Sequence, residues 1–164
     1  MSTKPVAVAA VVAMAVAAPF ALGQSGGGGT TSAKRAKVIR GSGPAPGSLR
    51  TDVDVGVPGD SPGDISVFRN VETTSTGRRL GVSVGRCVIV RTGPDEDWLA
   101  DCAITHQYKG GSIMVAGAVK PRSDRPSVQA VTGGTGRFTG ASGTETTTPL
   151  GNRRFGFTIR YKLR

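Results

Sequence analysis

The sequence predicts an all-β domain, an eight-stranded antiparallel barrel, preceded by a signal peptide and a flexible linker. Three observations carry that expectation. From Thr51 onward apolar residues recur with the period of strands, and no window of about 11 residues shows a helical stripe. Turn residues separate the apolar runs, including Gly110-Gly111, a two-residue hairpin loop in which both positions accept positive φ. Eight strands in an open sheet would leave two unpaired edges, and closure into a small barrel removes them. A two-sheet sandwich fits the same pattern and is the alternative.

Composition narrows the function classes. The chain has 164 residues, enough for one core, with 25 Gly, two Cys, one His and one Trp. Two Cys and one His cannot close a four-ligand zinc site, so no metal is expected, and no cofactor motif stands up to inspection below. The glycines follow no G-X-Y period, which excludes collagen.

Residues 6–22 are an apolar run behind the single cation Lys4, and Ala21-Leu22-Gly23 has the small-x-small form of a signal-peptidase site. Residues 1–23 therefore read as a secretory signal peptide, and the protein as secreted or attached to the cell envelope. The alternative is an uncleaved anchor, but the run contains Pro19 and is marginal for spanning a bilayer. Residues 24–50 are rich in Gly, Ser and Pro and read as a flexible linker. Lys34, Arg35, Lys37, Arg40 and Arg50 make it a basic arm without acids, and residues 51–164 keep a net charge of only +4. On this reading the overall +10 marks no basic face of the domain. The arm is either a solubilising tether or a contact for anionic wall polymers or membrane headgroups, with no nucleic acid expected.

The strands are expected at 51–57, 64–72, 79–91, 98–108, 112–119, 127–132, 142–149 and 154–163. A loop over 92–97 sets Arg91 against Trp98, Cys87 against Cys102 and Ser83 against His106. Two facing Cys in an exported protein favour a disulfide; two free thiols lining a cavity are the alternative. The same register gathers Ser83, Cys87, Cys102, His106 and Tyr108 on one face with Trp98 and several glycines, and there the Tyr108 ring is expected to cover Gly81. Small residues mixed with aromatics suit a barrel lining that leaves room for a small ligand. Leu80, Val82, Val84, Val88 and Val90 form an aliphatic stripe on the other face, which suggests an oligomer contact or cover by another segment.

Gly133-Gly134-Thr135-Gly136 invites a dinucleotide reading, but only Thr-rich, strand-like sequence follows where a helix is required. The stretch Gly133 to Gly143 instead resembles the GGTGxFxxAxG signature of dirigent proteins and allene oxide cyclases. Gly63 to Asn70 resembles the GDxxxFxN strand, Arg79 to Val88 the RxGxxxGxCV strand, and Gly111 to Gly117 the GxxxVxG strand of the cyclases. The four motifs keep their order over almost the whole folded part, so the chain is similar to the allene oxide cyclase barrel-like and dirigent-like families.

The resemblance implies an eight-stranded barrel with an apolar cavity, an apolar small molecule (lipid, polyene or phenolic) as ligand, and a dimer or trimer. It places Asn70 where the cyclases hold an ordered water against an epoxide oxygen, and Cys87 in the cavity wall. The cyclase tyrosine falls on Val119, and the dirigent arginine of the AxG element falls on Ser142, so neither plant activity transfers as such. Asp52 and Asp54 are the nearest counterparts of the cyclase first-strand polar pair. Spirotetronate cyclases, a bacterial branch resembling this barrel, work by cavity shape and leave few polar groups to read.

Ser66, Phe68, Asn70 and Glu72 share one parity and, by the resemblance, the cavity face. Asn70 and Glu72 are the candidate catalytic pair. A buried Glu72 would be a candidate general acid or base, whereas at the mouth it is a solvated rim charge, the favoured expectation. Ser83 facing His106 lacks a nucleophile elbow and reads as cavity polarity rather than a hydrolase pair. The function expected is an exported ligand-binding barrel that steers an apolar intermediate in cyclisation or coupling, an isomerase or cyclase if an enzyme. The alternative is a non-catalytic binding or envelope module.

Overall fold

The computed structural model describes residues 35–94 and 97–164, and all structural statements concern those residues. The expected signal peptide and the first part of the linker lie outside them. Eight antiparallel strands close in chain order into one barrel: β1 Lys37–Val53, β2 Ile65–Thr73, β3 Arg79–Arg91, β4 Leu99–Tyr108, β5 Gly111–Val119, β6 Ser127–Gly134, β7 Ala141–Pro149 and β8 Phe155–Leu163. The sandwich alternative is thereby excluded, because β1 pairs with both β2 and β8.

The first strand corrects the sequence expectation. It begins at Lys37 rather than Thr51 and ends before Val57, so residues 37–50 are barrel wall rather than tether. Val38, Ile39 and Arg40 alternate across the wall and pair with Arg160, Ile159 and Thr158. The Gly- and Pro-rich stretch that composition assigned to a linker accommodates two register shifts, between Ser42 and Ala45 and between Ala45 and Leu49. Bulges tolerate such residues where a regular strand does not. Lys37, Arg40 and Arg50 thus belong to the wall, and Arg50 is held by Asp52 and Ser66.

The central register is as the sequence predicts from Val82 against Gln107 to Val88 against Asp101, with Cys87 facing Cys102 and bonded to it. An irregularity after Ile89 sets Arg91 against Leu99 rather than Trp98. A second one, at the start of β3, turns Leu80 toward the core and removes it from the outer stripe. Tyr108 does cover Gly81: a Cβ there would fall 2.6 Å from its ring and 2.4 Å from the Gln107 carbonyl oxygen.

The glycine signature is a plug at one barrel end. Gly136 has φ 57, and a Cβ there would meet the Gly110 carbonyl oxygen at 2.2 Å. The 3-10 turn Gly136–Phe138 inserts Phe138 into the core, edge-on to Tyr108 and Tyr161. At the other end Asp64 ties down the connection between β1 and β2, accepting hydrogen bonds from the Val55 and Ser61 amides at 2.8 Å. Those bonds hold its carboxyl below the usual range.

Candidate functional site

Inward-facing side chains form two apolar groups. Near the plugged end lie Tyr108, Ile113, Val115, Phe138, Phe157, Ile159 and Tyr161; toward the other end lie Ile89, Trp98, Ala100 and Cys102. An ionic cluster crosses the interior. Glu72 on β2, His106 on β4 and Glu145 on β7 are exposed by 0%, 1% and 2%, and the imidazole bridges the two carboxylates. Its Nδ1 lies 2.8 Å from Glu72 Oε1 and its Nε2 3.0 Å from Glu145 Oε2. Burial alone would depress the His106 pKa, but the hydrogen bonds and charges of both carboxylates outweigh it and hold the pKa at about 9. His106 is therefore an imidazolium at neutral pH, with both ring N–H groups donating.

The surroundings lock this cluster. The imidazole packs on Phe157 at 5.3 Å and stacks with Tyr108 at 6.0 Å. Burial, then the charges of Glu72 and Glu145, push the Tyr108 hydroxyl well above the usual phenol range. That hydroxyl faces Glu72 without a well-formed hydrogen bond, and Glu72 Oε2 likewise lacks a partner among the described residues. Gln129, buried beside Glu145 across β6–β7, donates to the carbonyls of Cys102 and Gly117.

The site residues expected from sequence separate into two tiers of the inner wall. Glu72, Ser83, His106 and Tyr108 are sealed in the ionic tier. The rim expectation for Glu72 is corrected: its parity points it inward beside His106, where no solvent reaches it. Phe68, Asn70, Cys87 and Val119 are half-buried, and Cys102, bonded to Cys87, is buried. Phe68 lies over Gly85, where a Cβ would fall 3.0 Å from its ring. Asn70 neighbours Ser83, and Val119 neighbours Ala100. Ser66, half-buried at the rim, donates to Asp52 at 2.5 Å and accepts from Arg50 at 2.8 Å. Asp52 is held below the usual range, first by the Ser66 hydroxyl.

Sequence reasoning missed Glu145 and Gln129. Their signal was parity: Ala141 and Glu145, four apart on a Thr-rich strand, are its buried residues, and one acid among threonines marks the exception. On the outside, Val67, Val84, Ala103, Met114 and Ala116 line an apolar groove of about 520 Å³.

A family model described as the allene oxide cyclase barrel like domain matches residues 48–158. No curated protein matches the chain by sequence. Among solved structures, a pyocyanin demethylase superposes with a TM-score of 0.65 at 20% identity, over 77% of this chain and 100% of that one. A Diels-Alderase from Streptomyces koyangensis gives 0.64 at 14% identity, over 79% of this chain and 64% of that one. A pterocarpan synthase dirigent protein gives 0.63 at 15% identity, over 87% and 99%. At these identities the likeness is one of fold.

Proposed function

The chain belongs to the allene oxide cyclase barrel-like family, and from that premise we propose that it is an exported barrel that binds an apolar small molecule and fixes its conformation for cyclisation or coupling. The ligand is a lipid, polyene or phenolic, and the enzyme class is isomerase or cyclase. The observation that carries this reading is the division of the inner wall. The charged residues are sealed and pair through His106, while Phe68, Asn70, Cys87 and Val119 are half-buried on the same inner wall.

Such a surface suits positioning rather than proton transfer. Holding a reactant near its reactive geometry removes several kcal/mol of barrier without a strong acid or base. Asn70 is the group assigned to the substrate's polar atom. Glu72 is reassigned from candidate catalyst to positioning residue, because His106 stands between it and Glu145 and no ligand reaches it. The outer groove is the surface proposed for a homodimer or homotrimer. The sealed ionic tier also favours a second reading, a non-catalytic binding or envelope module.

Titration with the uncharged apolar fluorophore N-phenyl-1-naphthylamine tests the proposal. Saturable uptake that Phe68→Ala weakens about tenfold, or roughly 1.4 kcal/mol, is expected. Asn70→Ala should leave that uptake intact and abolish turnover of a polyene or epoxide substrate. Uptake without turnover of any such substrate selects the second reading. No uptake sinks the first reading and leaves only an envelope module with a filled barrel.

A further inference from the structure

The charge of the folded domain is sorted by end. In a barrel wound in chain order, the β2–β3, β4–β5 and β6–β7 connections share one end with the start of β1 and the finish of β8. That end, plugged by Phe138, carries the exposed cations Lys37, Arg78, Arg79, Lys109, Arg137 and Lys162. None of the six takes part in an ion pair among the described residues. No exposed Asp or Glu lies there among the described residues; Glu72, near the finish of β2, is sealed inside the wall. The described aspartates, from Asp52 to Asp124, all fall at or beside the opposite end, and the two described glutamates are the sealed pair. Three cations at or beside the opposite end have aspartate partners, Arg50 with Asp52, Arg91 with Asp97 and Arg122 with Asp60.

We propose that the plugged end docks electrostatically on a bilayer surface of acidic phospholipid headgroups. Three features select that occupant. The cations come from separate connections around the barrel axis, so they face a broad surface together rather than lining a groove. The aromatic rings of that end, Tyr108, Phe138 and Tyr161, are buried, which leaves no stacking platform for nucleic-acid bases. The described chain enters β1 at this end, and Arg35, just before Lys37, adds a further exposed cation there. Exposed large apolar side chains of this end are limited to Val38 among the described residues, so the contact is adsorption rather than insertion. This inference is independent of the ligand proposed for the interior.

Co-sedimentation of the full chain with phosphatidylglycerol and with phosphatidylcholine vesicles tests it. The apolar run contributes equally to both, so the readout is the excess on acidic vesicles. That excess should shrink steeply with salt, because screening acts over about 8 Å at physiological ionic strength. It should fall roughly fivefold for each cation neutralised, in Arg78→Ser and Lys109→Ser. Arg154→Ser at the opposite end should leave it unchanged. Equal binding to the two vesicles, equal loss with Arg154→Ser, or full competition by soluble polyphosphate would overturn the proposal, the last by placing a soluble polymer on this surface.

Discussion

At the residue scale the account turns on His106. The sequence singles it out as the one histidine, and register places it on the inner face opposite Ser83. Glu72 was within reach of the reading, because β2 and β4 flank β3, but Glu145 was not legible: it is 39 residues away on β7 and meets the imidazole only through barrel closure. Because its folded pKa is raised from 6.5 to about 9, the cluster stabilises the fold fully below pH 6.5 and loses that contribution as pH rises through about 9. The urea midpoint should therefore fall between neutral pH and about pH 10, and a flat profile across that range would contradict the assignment. Glu145→Ala leaves the imidazolium with one partner and should cost about 3 kcal/mol in urea unfolding. Gly81→Ala must displace the Tyr108 ring or the Gln107 backbone, and a loss of roughly 1–3 kcal/mol is expected.

At the element scale, alternation and turn chemistry were enough to read β2 to β8 within a few residues. They failed at β1 for a physical reason: a bulged closing strand has the composition of a linker, and its stability comes from two neighbours rather than from its own pattern. Deleting residues 1–34 should leave the barrel folded, whereas deleting residues 1–42 removes most of the β1–β8 ladder and should open it. Limited proteolysis and far-UV circular dichroism distinguish the two. The Cys87–Cys102 bridge spans 15 residues between adjacent strands. Its reduction should cost about 3 kcal/mol in the chain-entropy model, read as a lower melting temperature in reductant. An unchanged melting temperature would mean that the hairpin is equally constrained without it.

At the scale of the whole molecule, closure followed from strand count and the cost of free edges, and the ordered motifs gave the family. Charge sorting did not follow, because it depends on which connections share an end; assigning Lys37 and Arg40 to a tether hid it further. The two-tier interior was only half visible. Parity sent Phe68, Asn70 and Glu72 to one face, but burial separates them: Glu72 is sealed in the ionic cluster, whereas Phe68 and Asn70 are half-buried. The account's central claim is that separation. Xenon enters dry apolar space and leaves filled or ionic interiors empty. In a xenon-pressurised crystal the account predicts xenon against Phe68, Cys87 and Val119, and none at His106. A barrel with no internal xenon, or xenon beside the imidazole, would contradict it.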